Sequence, residues 1–169
     1  MAALFAVAAV ALSTVLRVTH TVHATPCAAF DACVYGWRDG NFGLPIPPPI
    51  VRSRGDEQTG AGFELMRVPP FLIERCRSAQ RPSRLEYGVA NPGPLTYPVS
   101  EHRGVISFDE VAPGRTKITW RVEWTPLWWS GWLVRLATMT IVRAAADYTA
   151  RRAAAGAPAL TAEVELSEV

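Results

Sequence analysis

The feature that most constrains the fold is a change of hydrophobic period after residue 124. Between residues 51 and 124, strand-length segments are separated by turns of hairpin length that contain Gly or Pro, which is typical of an antiparallel meander. Thr125-Pro126 then joins a helix-capping residue to a proline that suits the first helical turn, and residues 127–155 follow a helical period that closes at Gly156. The sequence therefore predicts an antiparallel sheet followed by one long helix.

A second pair of capping residue and proline occurs near the start of the chain. Residues 19–24 alternate and include β-branched side chains, as a strand does, and Thr25-Pro26 follows them. A short helix is predicted after this pair because its apolar residues share one stripe: Phe30, Cys33, Val34 and Trp37. The predicted class is α+β with a helix-grip order, in which a curved antiparallel sheet of about six to seven strands wraps a long C-terminal helix.

Alternation within the later strands predicts which side chains face that helix. The last strand places tryptophans on one face and charged residues on the other, so one of its faces is wet. In the strand before it, His102 shares a face with Ile106. The predicted inward side chains are Leu85, Tyr87, Val89, His102, Gly104, Ile106, Phe108, Ile118, Trp120, Val122 and Trp124.

Composition excludes several classes of protein. The chain has 169 residues, enough for one domain with a real core, and its net charge is +2 with acids and bases interleaved. No basic run exceeds Arg151-Arg152, so nucleic-acid binding is not predicted. No cofactor or metal site is predicted, because clustered His/Cys ligands and a strand–GxGxxG–helix segment are missing. Three cysteines without a CxxC pair suit free thiols in a reducing compartment, so the expected location is the cytoplasm.

The N-terminal segment leaves three interpretations open. Residues 1–16 are apolar and carry no charged side chain. A small-x-small pattern at Val22-His23-Ala24 fits signal-peptide cleavage, although a basic n-region is missing. The second interpretation is a membrane anchor, for which Arg17 comes early, and the third is an apolar extension before the first strand. The expected division is an extension at residues 1–14, a helix-grip domain at 15–156 and an acidic tail at 157–169.

A block of motifs in the middle of the chain resembles a known superfamily. Pro-x-x-Leu-x-Tyr at residues 82–87 is followed by His-x-Gly-x-Ile-x-Phe at 102–108 and by Gly-Arg-Thr-x-Ile-x-Trp at 114–120. With the helices on either side, residues 18–153 resemble the SRPBCC proteins, also called START-like or polyketide cyclase/dehydrase and lipid-transport proteins. The resemblance implies a pocket between sheet and helix for a lipid, a polyketide or a similar apolar molecule. It implies no catalytic residue, because no catalytic signature of the superfamily transfers residue by residue.

Several side chains are candidates for contact with such a ligand. The candidate ligand-binding residues are Tyr87, Trp120, Trp124, Trp132 and Arg135. The aromatic ones suit the wall of a pocket and suit a filled core as well. Arg135 suits a ligand carboxylate or Glu74 as its partner. His102 and Glu74 are the candidate catalytic groups, each able to transfer a proton if it is enclosed, although the alternation around Glu74 leaves its face undecided.

Three functions remain open at this stage. The preferred one is binding of a small hydrophobic ligand between the sheet and the C-terminal helix. The second is a cyclase- or dehydratase-type enzyme that uses His102 or Glu74 for proton transfer. The third is a membrane-associated or scaffold protein with a filled core, in contact with a bilayer through residues 1–16 or through the tryptophan belt Trp124–Trp132. Export is the alternative to a cytoplasmic location, and the oligomeric state is left open.

Overall fold

The computed structural model describes residues 12–38, 41–44, 47–56, 61–67, 71–127, 129–154 and 161–168. The described elements are β1 (Thr14–Val22), α1 (Pro26–Arg38), β2 (Ile50–Ser53), β3 (Glu64–Arg67), β4 (Leu72–Gln80), β5 (Arg84–Val89), β6 (Val99–Ala112), β7 (Arg115–Pro126), α2 (Gly131–Ala153) and β8 (Thr161–Glu168). A 3-10 turn, Asn41–Gly43, follows α1.

The described strands form one antiparallel sheet in the order β2-β3-β4-β5-β6-β7-β1-β8. Strands β2 to β6 each pair with the next strand in sequence, and β1 lies between β7 and β8, with Val18 opposite Trp120. The inward side chains of β5, β6 and β7 are buried together with residues of α1 and α2 in one core. This arrangement confirms the predicted helix-grip fold.

Helix α1 begins where the cap-and-proline pair predicts. The Thr25 carbonyl accepts from Ala29 N at 3.0 Å, and its hydroxyl accepts from Ala28 N at 3.3 Å. The buried stripe also lies as predicted, because Phe30, Cys33, Val34 and Trp37 all face the core. Trp37 therefore reaches the inner face of the sheet from the C-terminal half of α1.

The second cap-and-proline pair does not begin a helix. Thr125 and Pro126 continue β7, where they pair with Glu101 and Val99 of β6, and α2 begins only at Gly131. A turn lies between them, in which Ser130 Oγ donates to Pro98 O at 2.7 Å and to Leu127 O at 3.0 Å. The predicted start at residue 127 was wrong because pairing with a distant strand outweighs a local capping signal.

The face of α2 that meets the sheet also differs from the prediction. Its buried residues are Val134, Thr138, Val142, Ala145, Ala146, Thr149 and Ala150. Trp132, predicted to line the interior, is 72% exposed, and Arg135 is exposed as well. Tryptophan and tyrosine side chains of the sheet occupy much of the space beneath the helix. Helix α2 therefore packs on the sheet with small residues, and its large side chains point outward.

Both termini of the domain pair more extensively than predicted. Strand β1 begins at Thr14 rather than at residue 19, and the predicted acidic tail includes β8, whose residues 161–168 pair with β1 from Thr14 to Thr21. Without β8, the side of β1 that faces away from β7 would be an open sheet edge. Pairing with β8 satisfies the backbone groups on that side. The apolar segment 1–11 lies outside the described residues. Among the described helices, none is both long enough and apolar enough to span a bilayer.

Candidate functional site

The inner face of β5, β6 and β7 brings most of the predicted residues together. Tyr87 lies opposite Gly104, and His102 lies opposite Trp124. A Cβ atom at Gly104 would stand 2.1 Å from the Tyr87 ring, so only glycine leaves room for that ring to lie across β6. The tyrosine thereby reaches Trp120, whose Nε1 donates to the Tyr87 hydroxyl at 2.9 Å. The motif His-x-Gly-x-Ile-x-Phe thus encodes both the His102 position and the space for Tyr87.

One part of this face has its polar atoms paired, and we call it the closed half: Trp37, Arg67, Glu74, Tyr87 and Trp120. The Trp37 ring meets the Tyr87 ring edge-on, with centroids 4.5 Å apart. Glu74 Oε2 accepts from Trp37 Nε1 at 3.2 Å and from Arg67 Nε at 2.7 Å. Glu74, whose face the sequence left undecided, therefore points inward. Its cation is Arg67 of β3, whereas the predicted partner Arg135 is exposed on α2.

The other part, which we call the open half, consists of His102 and Trp124. The Trp124 side chain is 1% exposed, and its Nε1 is enclosed without a hydrogen-bond partner among the described residues. His102 Nδ1 is enclosed and unpartnered in the same way, although the residue as a whole is partly exposed. Its ring packs between those of Tyr87 and Tyr97, with centroid distances of 5.7 and 5.5 Å. An unpaired buried polar group costs about 1–3 kcal/mol, so this part of the face carries an energetic penalty that the closed half avoids.

A cavity of about 430 Å³ lies against the open half. It forms because β5 ends at Val89, so the first residues of β6, up to Arg103, have no partner on that side in the described sheet. Its lining is mainly polar and consists of Arg77, Val89, Pro92, Ser100, Glu101, His102, Arg103, Glu123, Trp124 and Thr125. A volume of this size is within the range of small-molecule sites. The gap in the sheet therefore leads from solvent to the two unpaired polar side chains.

Protonation states in the site follow from burial. Burial lowers the pKa of His102 to about 4; Glu74 opposes this shift, and Arg77 adds to it. The imidazole is therefore neutral at pH 7. Burial raises the pKa of Tyr87 and that of Tyr97, the latter to about 12, so both hydroxyls keep their protons. The Tyr97 hydroxyl is hydrogen-bonded to Thr138 Oγ1 of α2.

The buried cysteines do not supply a nucleophile. Burial raises the pKa of the Cys33 thiol to about 12 and that of Cys76 to about 11. Thiolates are the reactive form of cysteine, so these two side chains behave as small apolar groups at neutral pH. Cys27 is exposed, and none of the described cysteines forms a disulfide.

Comparison with known proteins identifies the fold. No family model matches the chain, and no curated protein matches it. Among solved structures, Ara h 8.0201 has a TM-score of 0.59 and 14% identity over 81% of this chain and 97% of its own. Norcoclaurine synthase from Thalictrum flavum, solved with a transition-state analogue, has a TM-score of 0.65 and 16% identity over 82% of this chain and 92% of its own. The di-domain ARO/CYC protein BexL of the BE-7585A biosynthetic pathway has a TM-score of 0.64 and 14% identity over 84% of this chain and 50% of its own.

The chain has the same helix-grip fold as these solved structures. The sequence motifs predicted this fold, and the structural similarity shows it, while identities of 14–16% carry nothing further about activity. Within this fold, the interior lies between the curved sheet and α2. That interior is where Tyr87, His102, Trp120 and Trp124 meet.

The remaining candidate residues lie elsewhere or were missed. Trp132 and Arg135 are on the outer side of α2. Trp128, which belongs to the predicted belt Trp124–Trp132, lies outside the described residues. Sequence reasoning overlooked Arg67 and Tyr97 as parts of the site. Tyr97 lies in the irregular segment NPGPLTYP, where no period indicates its direction. Arg67 follows Leu65 at the spacing of one strand face, so the inward direction of an arginine was the signal available.

Proposed function

We propose that the protein binds a small, largely apolar molecule of lipid or polyketide type in the cavity beside the end of β5, with the polar group of that molecule at His102 and Trp124. The observation that supports this most directly is the pair of enclosed, unpartnered polar atoms in the open half beside a cavity of about 430 Å³. Next to these atoms lie Val89 and the rings of Tyr87 and Tyr97, while the rest of the cavity lining is mainly polar and charged. Apolar contacts beside a few placed polar groups are typical of a small-molecule pocket.

The chemistry of the two groups suggests which polar group the ligand carries. The Trp124 Nε1–H donates only, and the neutral His102 ring donates from Nδ1 in one of its two tautomers. An oxygen acceptor, such as a carbonyl or carboxylate, therefore satisfies both. A site whose polar groups pair only with the right ligand discriminates strongly against molecules that lack the acceptor. We expect such a site to prefer an oxygenated apolar molecule to a plain hydrocarbon.

Proton-transfer catalysis is less well supported. Glu74 is held by Arg67 and Trp37 in the closed half, so it is one partner of an ion pair rather than an isolated buried acid. His102 has a pKa of about 4, which makes it a weak base at neutral pH. The geometry around both residues thus favours binding over a cyclase- or dehydratase-type reaction.

Native mass spectrometry of the protein purified from cells tests the proposal. We expect a co-purifying apolar molecule that can be extracted and identified, and displacement of it by a fluorescent fatty acid such as cis-parinaric acid. Trp124→Phe should weaken binding of that probe about tenfold, because the indole donor is lost. Trp120→Phe, which removes a donor already used by Tyr87, should leave binding within about twofold of wild type. Absence of any bound molecule together with equal affinities of the two variants would contradict the proposal.

A further inference from the structure

The first half of α2 presents large apolar side chains to solvent. Trp132 is 72% exposed, Leu136 59% and Leu133 45%. Helical spacing places these three residues on one side of α2, away from the buried Val134 and Thr138. Trp129, in the turn just before the helix, is 45% exposed. We call Trp129, Trp132, Leu133 and Leu136 the apolar patch.

The fold itself does not require this patch. A helix that packs on a sheet normally carries its polar residues outward and its apolar ones inward. Here the inward positions of α2 are already filled by Val134, Val142 and a series of alanines and threonines. The outer apolar side chains add nothing to the core. Contiguous exposed apolar surface of this kind usually marks contact with another molecule or a membrane.

The charges around the patch favour anionic lipid as that partner. Residues 131–143 include Arg135 and Arg143 and no acidic residue. The adjoining segment 91–98 likewise has no acidic residue and carries no charged side chain at all. Its Leu95 is 92% exposed. Pro98 O ties this segment to the start of α2 through Ser130 Oγ. Tryptophan and leucine on one side of a helix, with arginines beside them, is the composition of helices that lie in a membrane interface.

The start of the domain lies at the same end of the molecule. Ser13 Oγ is 2.9 Å from Thr125 Oγ1, close in sequence to the turn that carries Trp129. The chain up to Leu16 contains no charged side chain. The described part of the chain therefore begins beside Thr125, near the turn that carries Trp129, and the sequence before it is apolar and uncharged. Both features favour contact of this end with lipid rather than with a charged protein surface.

We propose that the apolar patch docks the protein on the surface of an anionic lipid bilayer, with Trp129 and Trp132 among the headgroups and Arg143 facing lipid phosphates. This surface differs from the predicted belt Trp124–Trp132, because Trp124 is buried in the open half. It is also separate from the proposed ligand site, so either proposal can fail without the other. The patch lies on the outer side of the helix that covers the inner face.

Co-sedimentation of the full chain with vesicles tests the docking surface. The probes are vesicles of phosphatidylcholine alone and of equimolar phosphatidylcholine and phosphatidylglycerol. We expect binding to the anionic vesicles, weakened about tenfold or more in the double variant Trp132→Ser/Leu136→Ser. The control variant Val111→Ser/Ile141→Ser changes two exposed apolar residues outside the patch and should bind within about twofold of wild type. Arg143→Gln should reduce the preference for phosphatidylglycerol.

Three outcomes would overturn the proposal. The first is that wild-type protein stays in the supernatant with both vesicle types, which would mean that the patch does not bind lipid. Equal losses in the patch and control variants would mean that general hydrophobicity, not the patch, drives binding. Binding that survives in the patch variant and is lost in the full-length variant Phe5→Asp/Val10→Asp would assign the contact to the leading segment. Circular dichroism of each variant confirms that it is folded, and light scattering without vesicles shows whether the patch instead joins two copies of the chain.

Discussion

The tryptophans of the closed and open halves of the inner face are equally buried but differ in hydrogen bonding. Trp120 and Trp124 lie on the same strand and the same face, with exposures of 3% and 1%. Trp120 Nε1 donates to Tyr87, whereas Trp124 Nε1 and its cross-strand neighbour His102 Nδ1 have no partner among the described residues. Burial alone therefore does not separate core from site. Hydrogen bonding does distinguish these two tryptophans, because one donor is satisfied by Tyr87 and the other is left for a ligand.

The largest expected effect comes from breaking the ion pair of the closed half. Arg67→Met leaves the Glu74 carboxylate buried without its cation, and we expect a loss of about 3 kcal/mol in the free energy of unfolding. Urea denaturation measures it. Arg75→Met is the matched control, because the Arg75 side chain on β4 is exposed whereas that of Arg67 is buried, so loss of its pair with Glu64 should cost less than about 1 kcal/mol. Similar losses in both variants would mean that the Arg67–Glu74 ion pair stabilises the fold no more than a pair with an exposed arginine.

The next largest effect on the free energy of unfolding is expected from acidification, which acts on His102 in the open half. The pKa of His102 is about 4 in the folded protein and about 6.5 in the unfolded chain, so the unfolded chain binds the proton first as pH falls. Stability is therefore retained above pH 6.5 and falls by up to about 3 kcal/mol as the pH drops towards 4. His20 adds to the loss, because burial lowers its pKa too.

Urea denaturation at a series of pH values measures this loss. His102→Gln should flatten the pH dependence in part, leaving the contribution of His20. His23→Gln, which changes an exposed histidine, should leave the profile unchanged. A His102→Gln profile as steep as wild type would show that protonation of His102 does not cause the loss of stability at low pH.

Filling the space above Gly104 should disturb both halves at once. In Gly104→Ala the new methyl group meets the Tyr87 ring, which contacts Trp37, His102 and Trp120. We expect a loss of about 1–3 kcal/mol in the free energy of unfolding, with altered near-ultraviolet circular dichroism. Gly93→Ala is the control, because its added methyl group would lie 3.7 Å from Thr96 Oγ1, an ordinary contact. A Gly104→Ala protein as stable as this control would show that the Tyr87 ring has another position available.

The sequence predicted those parts of the fold that depend on local period. Two-residue alternation in β5, β6 and β7 is enough to place Tyr87, His102 and Trp124 on the inner face. The start of α2 was mispredicted, because the pairing of Thr125 with Glu101 is a long-range contact that no local signal reveals. Its buried side was also mispredicted, since apolar residues lie on both sides of the helix. The unpaired state of Trp124 Nε1 depends on distances between atoms of different strands, which a hydrophobic pattern does not contain.

The most direct test of the account compares Trp120→Phe with Trp124→Phe in urea denaturation, alongside the affinity of each for cis-parinaric acid. Both variants lose the same volume from the same face, so that contribution largely cancels. Trp120→Phe also removes a satisfied hydrogen bond, whereas Trp124→Phe removes an unsatisfied donor, so Trp124→Phe should be the more stable variant by about 1–3 kcal/mol. We expect this more stable variant to bind the probe more weakly. Equal stability of the two variants, or stronger probe binding by Trp124→Phe, would contradict it.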